Sequence, residues 1–429
     1  MKNIINNPSK AKWTALCERP SFDTSSLNET VLDVIEKVKQ NGDTALKLFR
    51  EKFDGVPVSE SFVFAKEDLE KSAKYIDVKL AAAIDLAYNN IYKFHAAQQF
   101  NEAEVETSKG VRCFRKAVAI EKVGLYIPGG SAPLFSTILM LAIPAQITKC
   151  DELILCHPVK SLAGLHPAVA YTVLKCGINQ LFAIGGAQAV AAMAVGTESI
   201  PKVNKIFGPG NQYVTRAKEL VSQMGTAIDM PAGPSELLVY ANDSAVPEFV
   251  AADLLSQAEH GADSQVILVS TSEEMIQKVM VEITFQVTVL PRKEIALKAL
   301  ENSKSILFDG INDAWDFINE YAPEHLIVAC DKAEDYIPRV KNAGSVFLGN
   351  YTPESAGDYA SGTNHTLPTS GYAKMYSGVS LADFSKTITF QKLNADGVNS
   401  IGKAVELMAE NEGLQAHKNA MTLRLASLK

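Results

Sequence analysis

The chain has 429 residues, 47% apolar and 21% charged, with a formal net charge of -8. That length calls for more than one hydrophobic core, and the apolar content excludes wholesale disorder. The acidic balance argues against a nucleic-acid or anionic-membrane surface.

Cysteines stand at positions 17, 113, 150, 156, 176 and 330 with no CxxC pair, which fits reduced thiols in a cytoplasmic protein. Residues 1–25 read as an arm or short helix, and MKNIINNPSKAKW lacks the apolar centre of a signal peptide. Val31, Leu32, Val34, Ile35 and Val38 predict an amphipathic helix that stops at Asn41-Gly42, followed by a second helix over 43–53. A longer helix carries Leu80, Ile84, Ala87, Ile91 and Phe94 on one face. His95 beside that stripe reads as a surface or core-edge residue.

Residues 103–122 alternate around Ser108-Lys109-Gly110, the pattern of a hairpin. Between Lys122 and Lys149 there is no charge, a stretch long enough to span a bilayer. Pro128, Pro133, Pro144 and Gly129-Gly130 divide it into a strand, a turn and a helix instead. Four strand-like runs follow, 123–127, 152–156, 181–184 and 205–207, each leading into a helix, which predicts a parallel sheet covered on both faces. Three of them end in glycine turns: Pro128-Gly129-Gly130, Gly185-Gly186-Ala187-Gln188 and Gly208-Pro209-Gly210-Asn211. Glycine lets backbone N–H groups approach an anion at a helix N-terminus. Tight turning alone would explain one such pair. Three at one sheet edge point towards a nucleotide, although none matches GxGxxG.

A second α/β set begins at 237–240 and continues through 266–270, 305–308, 326–329 and 346–348. The first sheet therefore reads as an insertion. The tail carries a short strand over 387–393 and helices over 400–409 and 414–428, a small separate unit.

Candidate chemistry concentrates in 322–369. Glu324 and His325 stand side by side before a buried strand, a possible general acid/base pair if they lie on the irregular turn after Pro323. The polar loop beyond carries Glu354, Asp358, Asn364 and His365. Gln257 and His260, three apart at a helix end, share a face and could reach one cation, although an amide oxygen is an uncommon zinc ligand. Asp358, His365 and His417 could join them only through the fold. His417, five residues after Glu412, requires the tail to fold back or to reach a second subunit. Cys113, Cys150 and Cys156 offer a thiol for aldehyde oxidation, but buried inert thiols are the simpler reading.

Together, VGLYIPGGSAPLFSTILM (123–140), IGGAQAVAAMAVGT (184–197), FGPGNQYV (207–214), PAGPSELLV (231–239), DLLSQAEHGADSQVIL (253–268), APEHL (322–326) and GSVFLGNYTPESAGDYASGTNHTLPT (344–369) resemble the histidinol dehydrogenase family. The resemblance runs from about residue 25 to the C-terminus. It implies an α/β fold of two incomplete Rossmann-like parallel-sheet domains. On that basis 1–25 is an N-terminal arm, 26–122 with 235–382 the domain carrying metal and catalytic residues, and 123–234 an inserted NAD-binding domain. Residues 383–429 form a C-terminal α+β unit that completes the partner's active site.

The resemblance further implies four-electron oxidation of L-histidinol to L-histidine through L-histidinal with two NAD+, by a cytoplasmic, zinc-dependent homodimer. Gln257, His260, Asp358 and the partner's His417 would bind zinc, and Glu324 and His325 would be the acid/base pair. Ser235, His365 and Glu412 would contact substrate together with His325 and the zinc ligands. Tyr126, Gln188 and Asn211 would contact NAD. Two other classes remain open on the residues alone: a zinc hydrolase using Glu324 to activate metal-bound water, and a non-catalytic binding protein. A thiol-dependent dehydrogenase is a third reading.

Overall fold

The computed structural model describes residues 4–20, 25–129, 132–231 and 233–428. Two six-stranded sheets and one three-stranded sheet organise them. The first sheet runs, edge to edge, Ile4–Asn6, Lys304–Leu307, Gln265–Ser270, Glu236–Ala241, His325–Ala329 and Ser345–Leu348, parallel throughout. Its three central strands are buried at every position, as unbroken apolar runs require when helices cover both faces. Alternate side chains confirm the layering. Leu237, Val239 and Leu268 join helices Pro247–Ala258, Glu273–Gln286 and Lys293–Glu301 in one core. Leu238, Tyr240 and Ile267 join helix Ile311–Tyr321 and Trp13 in the other.

The segment expected to be an arm is therefore part of this sheet from Ile4 onward. Arg19 then anchors it from beneath. Its guanidinium donates to Glu236 at 2.7 and 3.0 Å and stacks on the Tyr321 ring, 3.7 Å from the centroid.

The second sheet runs Val63–Phe64, Leu181–Phe182, Glu152–Cys156, Lys122–Tyr126, Lys205–Phe207 and Ala227–Ile228. Only Val63–Phe64 is antiparallel. The uncharged stretch supplies most of strand Lys122–Tyr126 and the helix Phe135–Thr148, buried from Ser136 to Ala145. A helix apolar all round is a core helix, and no helix among the described residues is long and apolar enough to cross a membrane.

Helices Ser25–Asp54 and Val78–Ala96 share one core with this second sheet, through Val31, Val34, Ile35, Val38, Leu46, Ile84 and Ile91. The sequence reading joined 26–122 to 235–382; the packing groups these helices with 122–228 instead. An amphipathic stripe fixes which face is buried, not which sheet it meets. At Gly42 the helical conformation breaks and a second helix begins, as expected. Gly42 takes φ 49°, and the Asp43 N–H it frees donates to Glu198 at 2.7 Å, so the helix resumes.

The hairpin Glu104–Ser108 and Val111–Ala119 pairs with Ser385–Leu393 in the third, antiparallel sheet. The hairpin thus belongs with the tail helices Ala395–Asn411 and Gln415–Ala426. Ser385–Leu393 is exposed at seven successive residues, and helix Gln415–Ala426 buries none.

Candidate active site

The strand order of each six-stranded sheet reverses at its middle, between Glu236–Ala241 and His325–Ala329 in the first and between Lys122–Tyr126 and Lys205–Phe207 in the second. In the second sheet the carboxyl ends at this reversal open into a cavity of about 780 Å3. In the first sheet the amino ends do the work, since Ser235, Glu324 and Gly344 each precede their strands. A smaller cavity of about 200 Å3 lies where the two ends meet, lined by Gly208 and Gly210 on one side and Ser235, His260, Glu324 and His365 on the other.

His325 sits at the centre of the catalytic end, buried at 4% exposure. Its Nδ1 is 3.3 Å from the Glu236 carbonyl oxygen, an atom that can only accept, so Nδ1 carries the proton. Nε2 is buried without a hydrogen-bond partner and lies 3.7 Å from Asp358. Three carboxylates surround the ring: Glu354 at 3.5 Å and Glu324 at 3.6 Å from Nδ1, and Asp358. Burial opposes a charged imidazole, but Glu354, Glu324 and Asp358 outweigh it and raise the His325 pKa. Burial pushes Glu324 up to about 7, against the pull of His325 and of the Glu236 N–H that donates to it at 2.9 Å. Burial also raises Glu354, whereas the His325 contact overcomes burial and lowers Asp358.

The adjacent side chains of Glu324 and His325 come within 3.6 Å because Glu324 precedes the strand that His325 begins. Arg19 supports both from below, by holding the Glu236 whose N–H and C=O contact Glu324 and His325. Beyond Leu348 the chain turns, and helix Glu354–Tyr359 returns over Phe347, packed so closely that a Cβ on Gly357 would meet the ring. The region expected as loop is therefore a short helix that delivers Glu354 and Asp358.

The donor set fits a cation. Gln257 is wholly buried with neither amide atom partnered, both Glu354 oxygens are buried and unpartnered, and so is His325 Nε2. Buried acceptors without donors cost free energy unless a proton or a cation satisfies them. His325, Glu354 and Asp358 place ligand atoms within 4.8 Å of one another. His260, one turn beyond Gln257, feels burial, which lowers its pKa, and then the charge of Asp358, which raises it. Among the expected ligands, then, Asp358 belongs to this cluster and His260 is close enough to feel its charge, while Gln257 stands one turn before His260, buried and unpartnered.

His365 bridges to the other sheet. Its Nδ1 donates to the Asp358 carbonyl at 2.9 Å, and its Nε2 accepts from Thr137 at 3.1 Å. Next to it, Asn364 donates to the Met140 carbonyl at 2.7 Å and towards His95 Nε2 at 3.3 Å. His95 is fully buried rather than at the surface, because Asn364 and the Ile91 carbonyl satisfy both ring nitrogens. Glu412 and His417 are exposed on the tail helices, and a single chain does not bring them to the cluster.

Tyr126, Gln188 and Asn211 all line the larger cavity. Tyr126 accepts the Gly186 N–H at 3.1 Å, Gln188 is buried, and Asn211 caps helix Gln212–Ser222 through the N–H groups of Tyr213 and Val214. Gly208 takes φ 127°, and a Cβ there would run into the Tyr126 carbonyl. The buried pair Lys218 and Asp229 fixes that turn, donating to the Gly208 carbonyl and accepting its N–H, each at 2.8 Å. Gly130, in the first of the three turns, lies outside the described residues.

Of the candidate thiols, Cys156 is wholly buried and pushed far up by burial, Cys150 is raised by burial and lies against Thr148, and Cys113 sits on the third sheet. None of the three lines the smaller cavity.

A family model for histidinol dehydrogenase matches residues 17–425. The chain is 56% identical over 429 residues to a histidinol dehydrogenase of Bacteroides thetaiotaomicron, covering 100% of each. It is 52% identical over 430 residues to that of Haemophilus influenzae, again covering 100% of each. The crystal structure of histidinol dehydrogenase from Elizabethkingia anophelis superposes with a TM-score of 0.96 at 51% identity, over 99% of this chain and 98% of that one.

Proposed function

The chain belongs to the histidinol dehydrogenase family and is an NAD-dependent oxidoreductase of histidine biosynthesis; on that premise we propose that it oxidises L-histidinol to L-histidine in two steps, through L-histidinal, with two NAD+. The observation that carries this reading is the buried pair Glu324 and His325, with Glu324 lining the cavity that both sheets share and Glu324, Glu354 and Asp358 gathered round the imidazole.

Bound zinc would hold the amino alcohol as a template and NAD+ would accept one hydride in each round. Gln257, His260 and Asp358 would hold the metal, with His417 of a second copy completing the set. His325 Nε2 takes the hydroxyl proton of the substrate as its C–H bond yields a hydride, leaving a C=O group. Glu324 then takes a proton from the water that adds to this carbonyl while His325 returns its proton to the carbonyl oxygen, and His325, a base again, takes a hydroxyl proton of the resulting hydrate in the second round. A carboxyl pushed up to about 7 is poised for such a transfer near neutral pH. Ser235, His365 and Glu412 of the second copy position the substrate.

The homodimer is supported by the tail. Its strand is exposed along its length, and Leu407, Met408 and Leu423 are each more than 60% exposed on helices that carry Glu412 and His417 to no partner in their own chain. We assign 123–234 to NAD binding, 235–382 to metal and chemistry, and 383–429 to the partner's site. Six free cysteines fit a reducing, cytoplasmic setting.

A carbonyl trap tests the reading directly. With semicarbazide present during turnover, L-histidine should still form in full, because the aldehyde stays enclosed. Quantitative trapping of L-histidinal would refute the two-step reaction in one site.

A further inference from the structure

We propose that a polar socket on the buried helix Phe135–Thr148 of the second sheet positions His365. Thr137 grips the imidazole, Asn364 pins the backbone beside it, and together they set where L-histidinol lies between the two sheets. The proposal rests on the reading of His365 as a substrate contact.

The helix is buried from Ser136 to Ala145 and carries no charge, yet two of its polar groups meet the other half of the molecule. The first is a carbonyl. Pro144 stands inside the helix and has no N–H, which deprives the Met140 carbonyl, four residues earlier, of its helical donor. Asn364 supplies a donor there at 2.7 Å. The same amide nitrogen lies 3.3 Å from His95 Nε2. His95 Nδ1 is 2.9 Å from the Ile91 carbonyl, which only accepts, and burial lowers the His95 pKa, so the ring is neutral and Nε2 accepts. The Asn364 carbonyl in turn accepts the Thr366 N–H at 3.0 Å. Both donors and the acceptor of this buried amide are used, the condition under which a buried polar network fixes one geometry.

The second group is the Thr137 hydroxyl, buried in the same helix, which donates to His365 Nε2 at 3.1 Å. His365 Nδ1 donates to the Asp358 carbonyl at 2.9 Å, so the ring is held at both nitrogens. A side chain locked in this way meets a ligand in one orientation. Packing alone does not call for these groups, since apolar side chains would cover the helix without a desolvation cost.

The test is steady-state kinetics on Thr137→Val, which keeps the volume and removes the hydroxyl, and on Asn364→Asp, which keeps the shape and removes both donors. The L-histidinol KM should rise about fivefold or more in each, the size of one hydrogen bond, with kcat and the NAD+ KM within about twofold of the parent. Thr137→Ser should restore the parent KM. Unliganded melting checks the fold, and Thr137→Val, being nearly isosteric, carries the test if Asn364→Asp does not fold. A lower melting temperature and kcat with the L-histidinol KM unchanged would make the socket merely structural and overturn the proposal. His365→Ala is the control for the site. If it raises the L-histidinol KM while Thr137→Val and Asn364→Asp do not, the socket proposal is overturned and the reading of His365 stands. If His365→Ala leaves that KM unchanged, the reading of His365 falls, and the proposal with it.

Discussion

The two six-stranded sheets share a parallel build and a central reversal of strand order, yet they use opposite ends of it. The second sheet opens its carboxyl ends, the usual place for a ligand in an open α/β sheet, and lines them with glycine turns and few charges. The first sheet places Ser235, Glu324 and His325 at the amino ends of its strands and brings Glu354 and Asp358 back to them on a returning helix. The contrast is chemical as well as geometric. One end approaches its ligand with backbone. The other concentrates three carboxylates and an imidazole out of water, where their charges act strongly on one another. On the proposed reading, facing the two ends across one small cavity would let hydride leave the substrate carbon while the proton leaves the oxygen bonded to it.

The largest expected effect falls on the catalytic end. His325→Asn should lower kcat for both oxidations by about 1000-fold, within the range for losing a general base, and leave the NAD+ KM unchanged. A comparable rise in that KM would show that the two ends are not separable. Glu324→Gln should divide the reaction. Rapid mixing should show a burst of about one NADH per site and then a stall, because hydration of the aldehyde is lost while the first oxidation survives. Steady production of two NADH per histidinol by this variant would remove Glu324 from its assigned step. On the cofactor side the effect should be smaller and of another kind. Gly208→Ala forces a Cβ against the Tyr126 carbonyl, so the melting temperature should drop by an amount corresponding to about 1–3 kcal/mol and the NAD+ KM should rise. Unaltered melting would mean that the turn is not as tightly fixed by Lys218 and Asp229 as the geometry requires.

Much of this division could be read in the residues. Strands buried on both faces announce themselves as unbroken runs such as Leu-Leu-Val-Tyr at 237–240, and the glycine turns mark their ends. The edge strands Ile4–Asn6, Val63–Phe64 and Ala227–Ile228 passed unseen, since two or three residues carry no period. The break at Asn41-Gly42 was legible, but not the Glu198 carboxylate that caps the restart, 155 positions away from Asp43. The pairing of Glu324 with His325 was legible, and Glu354 stood among the polar side chains of the loop, but its place beside the imidazole was not legible until Phe347 draws its helix inward. Nor could Thr137, in an uncharged helix, be seen as the partner of His365. Gln257 and His260 shared a visible helix face, whereas the destination of His417 depends on a surface that lies outside one chain.

The most direct test of the central claim, that both ends serve one substrate, is the yield of NADH with limiting L-histidinol. Two NADH per histidinol, lost on chelation and restored by Zn2+, is the predicted result. One NADH per histidinol, with aldehyde released into solution, would contradict it.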